Sequence, residues 1–208
     1  GIISPTLANL TLDGLERLVR NAVPRQSRVN FIRYADDFIV TGKSKRLLEE
    51  NVRPLIEKFL EDRGISFSEE KTKITQIKYG FTFLGQTFRK TGNVLRITPA
   101  KEGVISLKSK VGELIRKYVS SPLEGLIKKL NQTLRGWGNY HRHVVASEAF
   151  SQVDTYVYER LWQMILKRHR TKSKRWLIHK YWSFAKRRWT FTVTSTTQKD
   201  LKLYQVIR

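Results

Sequence analysis

Two adjacent carboxylates, Asp36 and Asp37, stand between two apolar, β-prone runs, Phe31-Ile32-Arg33-Tyr34 and Phe38-Ile39-Val40-Thr41. Neighbouring carboxylates repel, and each costs free energy if it is buried without a partner. A solvated turn relieves the repulsion. A divalent cation relieves it too: Mg²⁺ prefers hard oxygens in octahedral geometry, and paired carboxylates offset its charge. Two such ions about 3.5–4 Å apart can activate an attacking hydroxyl and stabilise a departing phosphate oxygen. That chemistry normally takes a further carboxylate from a neighbouring strand.

A second group of residues carries the opposite charge. Lys167 to Arg188 holds ten Lys or Arg residues and no acid: Lys167, Arg168, Arg170, Lys172, Lys174, Arg175, Lys180, Lys186, Arg187 and Arg188. Ten like charges repel unless something offsets them, and phosphates do so with release of counterions. Trp176, Tyr181 and Trp182 lie among them. Their bulk reads first as core packing, because aromatics fill small bundles. Folded RNA is the expected partner, held through backbone and shape. His141-Arg142-His143 has no cysteine or carboxylate motif beside it, so it reads as surface residues or as part of the helical C-terminal half rather than as a metal pair.

The whole chain agrees with this. It has 208 residues and a formal charge of +22, from 40 Lys+Arg against 18 Asp+Glu. Residues 1–100 contribute +6 and residues 101–208 contribute +16. A polyanion partner follows, and nucleic acid is the commonest one. No apolar run approaches the roughly 18–20 residues of a spanning helix, so a membrane is not expected as a partner. Cysteine is absent, which excludes a disulfide framework and zinc–cysteine sites.

The elements that must position these groups follow from periodicity. Ser4-Pro5 reads as a cap followed by a first helical position, with Leu7, Leu10, Leu15 and Leu18 on one face. Residues 31–41 read as a hairpin with the carboxylates at its tip. Ser44 can cap a helix to about Asp62, although Pro54 interrupts the pattern and Gly64 ends it. Further strands are expected between Ile65 and Pro99, including a hairpin through Arg89–Asn93. Beyond Pro99 the texture is helical. Ser121-Pro122 introduces the stripe Leu123, Leu126, Ile127, Leu130, Leu134 and Trp137, and Phe150, Val153, Val157, Leu161 and Ile165 form another. A third helix is expected from Trp176 to Phe184. The fold class is therefore α+β, with an antiparallel sheet layer over 1–100 and a helical bundle over 101–208.

Phe31-Ile32-Arg33-Tyr34-Ala35-Asp36-Asp37-Phe38 resembles the catalytic motif of group II intron reverse transcriptases, also called maturases. Gly1-Ile2-Ile3-Ser4-Pro5-Thr6-Leu7-Ala8-Asn9 resembles the family's preceding motif, and Gly64 to Thr72 the following one. Phe83-Leu84-Gly85 resembles the primer-gripping hairpin. Leu130 to Tyr140 resembles the thumb, or maturase, signature. The matches run in family order and cover most of the chain.

The resemblance implies a partial polymerase palm in 1–100 and an RNA-binding thumb in 101–208. It implies that Asp36 and Asp37 ligate two Mg²⁺ ions and that Lys71 neutralises or protonates the departing pyrophosphate. Tyr34, Ala35, Asn9, Phe83, Leu84 and Gly85 would face nucleotide or primer, and Arg135 would join the basic segment in binding RNA. The partners implied are group II intron RNA, an RNA template with a DNA primer, and deoxynucleoside triphosphates. The compartment implied is the bacterial cytoplasm, with an organelle as the alternative. The family's first catalytic aspartate and its fingers fall outside these residues. A longer protein with an N-terminal fingers and palm segment is therefore expected, and the 208 residues alone are expected not to polymerise DNA. Two other readings stay open: a non-catalytic splicing cofactor that uses only the basic thumb, and a reverse transcriptase of defence or repair type.

Overall fold

The computed structural model describes residues 3–68, 70, 72–185, 188–194 and 200–207, apart from the side chains of Pro5, Arg25 and Ala185. Lys71, Lys186 and Arg187 lie outside the described residues. The architecture is α+β, with small antiparallel sheets and helices. It divides into two compact units, Gly1–Gln76 and Ile77–Arg208. That division precedes the change in sequence texture at Pro99, so the strands of residues 81–99 are compact with the helices that follow them.

The first unit begins with two helices where the leucine spacing suggested one. Helix α1 (Ser4–Thr11) and helix α2 (Leu15–Ala22) are separated at Gly14, whose φ of 81° is a left-handed conformation that glycine adopts without strain. The break divides the expected face. Leu15 and Val19 are buried, whereas Leu7 and Leu10 stay exposed. The α1 cap is Ile3 rather than Ser4 and has no side-chain bond. Strands β1 (Asn30–Tyr34) and β2 (Asp37–Thr41) form the expected hairpin, with Tyr34 opposite Asp37. Phe31 is buried from the hairpin and stacks on Phe38 at 5.4 Å.

Ser44 caps the next helix through a bond from the Leu47 amide, 3.2 Å. The run is not continuous. Helix α3 (Lys45–Leu47) widens into a π-turn over Leu48–Val52 before helix α4 (Arg53–Glu61). Pro54 explains this, since its missing N–H is tolerated only in a first helical turn. Val52, Ile56, Phe59 and Leu60 close the core with Leu12, Leu15, Val19 and Phe31. Gly64 ends the helix at φ 69°. The strands expected within 65–77 do not form among the described residues.

The second unit opens on an antiparallel meander: β3 (Phe81–Phe83), β4 (Gln86–Thr91) and β5 (Val94–Pro99). Helices α5 (Lys101–Lys117), α6 (Leu123–His141) and α7 (Ser147–Arg168) follow. The expected stripes are the buried ones. Leu126, Ile127, Leu130 and Leu134 of α6 and Val153, Leu161 and Ile165 of α7 are fully enclosed. At roughly 1.5–3 kcal/mol per buried side chain, these stripes dominate the unit's cohesion. Pro122, not Ser121, stands at the α6 cap.

The C-terminal end departs from the sequence reading. Helix α8 (Lys174–Tyr181) stops short of Phe184, and a three-stranded sheet follows: β6 (Trp182–Ala185), β7 (Arg188–Thr194) and β8 (Asp200–Lys202). Trp182 pairs with Phe191 and packs edge-on against it at 5.1 Å, so the aromatics favour strand pairing over another helical turn. The second unit is thus a helical bundle with sheets. The C-terminal segment is tied back to α6 and α7. Asn131 Nδ2 donates to the Lys202 carbonyl at 2.9 Å, and its Oδ1 accepts from the Tyr204 amide at 2.7 Å. Asp154 accepts from the Val206 and Ile207 amides, both at 2.9 Å. Burial pushes the Asp154 carboxyl upward, and these two bonds oppose that push. Gly138 makes the close approach possible, since a Cβ there would lie 3.0 Å from Val206.

Candidate nucleotidyl-transfer turn and nucleic-acid interface

The hairpin tip presents Asp36 and Asp37 to solvent. Neither carboxylate has a hydrogen-bond or ion-pair partner among the described residues. Ala35, just before them, has a φ of 53°. That is a left-handed conformation costing a non-glycine residue about 1–3 kcal/mol, and it requires compensation. Arg33 supplies it. Its Nη1 donates to the Ala35 carbonyl at 3.0 Å and to Asn9 Oδ1 at 2.9 Å. One guanidinium nitrogen therefore ties the strained turn to Asn9 of α1. Tyr34 is exposed beside them.

Arg33 was not among the residues singled out from sequence. Its position inside the Asp-Asp motif was the available signal, but its partners lie on a separate helix. The donor set suits Mg²⁺, which commonly takes one or two carboxylates and completes its shell with water and substrate phosphate. Among the described residues no group of three His, Asp or Glu side chains could hold a metal ion. The turn offers two exposed hard oxygen donors side by side.

In the second unit, Leu84 and Gly85 form the turn between β3 and β4, with φ 48° and 71°. Phe83 is half-buried. The end of α6 holds this turn. Tyr140 Oη donates to the Leu84 carbonyl at 2.6 Å, and Gln86 Nε2 meets His143 Nε2 at 3.0 Å. His141 is not a surface residue. It is 3% exposed, lies between the rings of Trp137 and Tyr140, and leaves Nδ1 without a partner.

Burial, reinforced by the His143 charge, holds the His141 pKa below its ordinary value. The sign follows from linkage. With a depressed folded pKa, neutral His141 contributes its full stability above the ordinary value of about 6.5, and that contribution is lost as pH falls below it. The urea midpoint should therefore decline between pH 7.5 and 5, and His141→Phe should flatten that decline. An unchanged slope in the variant would remove His141 as the cause.

The basic segment is not uniform. Lys167, Arg170, Lys174 and Arg175 are exposed. Arg168 is half-buried and donates to the Ser121 carbonyl at 2.6 Å. Lys172 and Lys180 lie over the Trp176 ring at 5.5 and 4.6 Å. Arg135 lies over Tyr204 at 5.4 Å, and the Arg188 guanidinium donates to the Ile207 carbonyl at 2.8 Å. Tyr181 and Trp182 are core residues, while Trp176 is partly exposed. No helix among the described residues is long and apolar enough to cross a membrane.

These features agree with comparisons to known proteins. Residues 1–88 match the family described as reverse transcriptase (RNA-dependent DNA polymerase). Residues 104–182 match the group II intron, maturase-specific domain. A curated relative, the ribosomal operon-associated A protein of Euglena gracilis, is 33% identical over 91 residues. That alignment covers 43% of this chain and 17% of the relative. The chain thus carries a reverse transcriptase region followed in order by a group II intron maturase-specific region.

Proposed function

We propose that this chain is part of a group II intron-encoded RNA-directed DNA polymerase that binds intron RNA, assists splicing and copies RNA into DNA. The observation carrying the catalytic reading is the exposed, partnerless Asp36–Asp37 pair on a strained turn held by Arg33. The positive φ at Ala35 is what a two-residue hairpin turn demands, and that tight turn holds both carboxylates at an exposed tip. Asp36 and Asp37 would hold Mg²⁺, which when bound supplies charge stabilisation for attack of a primer 3′-hydroxyl on a nucleotide α-phosphate. Arg33 positions the turn. Asn9 and Tyr34 face the deoxynucleoside triphosphate, Lys71 balances the departing pyrophosphate, and Phe83, Leu84 and Gly85 contact the primer. Arg135 and the basic segment 167–188 hold intron RNA. The family reading makes the bacterial cytoplasm the first compartment to test.

A second reading, a splicing cofactor without polymerase activity, is favoured by the +16 charge of residues 101–208. Primer extension separates the two. The complete protein, given Mg²⁺, an RNA template, a DNA primer and deoxynucleoside triphosphates, should extend the primer, and the 208-residue chain alone should not. Extension by the chain alone would refute its dependence on an outside carboxylate. Splicing assistance without any extension by the complete protein would establish the second reading.

A further inference from the structure

The register of β6 and β7 pairs Trp182 with Phe191 and Phe184 with Trp189, so all four rings share one face of the hairpin. The face is used unevenly. Trp182 and Phe191 are 6% and 2% exposed and close the core, whereas Phe184 and Trp189 continue the face past the core and remain 61% and 49% exposed. The outer rings lie 5.2 Å apart, tilted by 54°. Large exposed rings in contact are costly in water and mark a surface that something covers.

We infer that the Phe184–Trp189 pair is a stacking site for unpaired bases of RNA. This rests on the reading of the chain as RNA-binding and names a place and a mode of contact for it. Charge selects the occupant. From Arg160 to Lys199 the chain carries twelve Lys or Arg residues and no acid, and strand β7 begins with Arg188. A base offers a flat π-face to the rings while its phosphates meet the cations. The platform is also pre-organised. Gln205 Nε2 donates to the Trp189 carbonyl at 2.9 Å, and Arg188 is tied to Ile207, so the C-terminal segment braces β7.

Equilibrium binding of the full chain to a labelled single-stranded RNA, and to an RNA duplex of equal length, tests this. Phe184→Leu keeps apolar bulk on an exposed strand position but removes the ring, so folding is preserved. It should weaken single-strand binding roughly fivefold or more, with Trp189→Ala in the same direction. Duplex affinity and the slope of log affinity against log salt should not change, because stacking releases no counterions. Unchanged single-strand affinity in both variants or an equal loss on duplex would each overturn the assignment. Failure of the unmutated chain to bind any RNA would overturn it together with the RNA-binding reading, whereas binding that both variants retain removes the stacking site alone.

Discussion

Alanine in place of Asp36 in the complete protein is expected to lower RNA-templated primer extension by roughly a hundredfold or more, while intron RNA binding stays within about twofold. Metal-borne charge stabilisation at a transferring phosphoryl group is worth several kcal/mol, and each 1.36 kcal/mol is about tenfold in rate. The carboxylate is exposed and has no partner among the described residues, so its removal breaks no packing and no internal bond. Substitutions of that kind usually shift stability by within about 0.5 kcal/mol. Lost synthesis with an unchanged urea midpoint is therefore a chemical effect. Asp36→Asn keeps the shape and removes the charge, so it should fail almost as badly. If both variants still extend primers, Asp36 is not a metal ligand.

Local patterns in this molecule hold in some places and fail in others: the Ser44 cap forms, whereas Gly14 splits the first helix and neither Ser4 nor Ser121 caps its helix. The hairpin carrying Asp36 and Asp37 is set by alternation over a dozen residues, and the α6 and α7 stripes recur over many turns. The Ser44 cap is likewise local. Other features are set by long-range packing. Arg33 matters through Asn9, on a different element, and no local pattern signals that bond. Asn131 stands in the maturase signature, yet its partners Lys202 and Tyr204 lie near the other end of the chain. The C-terminal sheet did leave a trace: Trp189-Thr190-Phe191-Thr192-Val193-Thr194 is rich in aromatic and β-branched residues. Helix α8 stops at Tyr181 because Trp182 gains more from pairing with Phe191 than from another turn.

Affinity of the chain for a structured RNA is expected to fall about a thousandfold between 50 and 200 mM salt. Some six phosphate contacts produce a loss of that size through counterion release. The exposed side chains Lys167, Arg170, Lys174 and Arg175 can supply most of them. Lys172 and Lys180 can add more by leaving the Trp176 face, since a cation–π contact at an exposed site is worth only about 0.5–1 kcal/mol. Single substitutions should then separate binding cations from structural ones. Lys174→Ala or Arg175→Ala should each weaken binding and reduce the salt slope by about one. Arg168→Ala should act differently. Its guanidinium already holds the Ser121 carbonyl between α5 and α6, so its loss should lower the urea midpoint. A flat salt dependence in the unmutated chain would remove phosphate neutralisation as the source of affinity. If the Arg168 and Arg175 variants behave alike in both assays, position along the basic segment does not sort its cations by task.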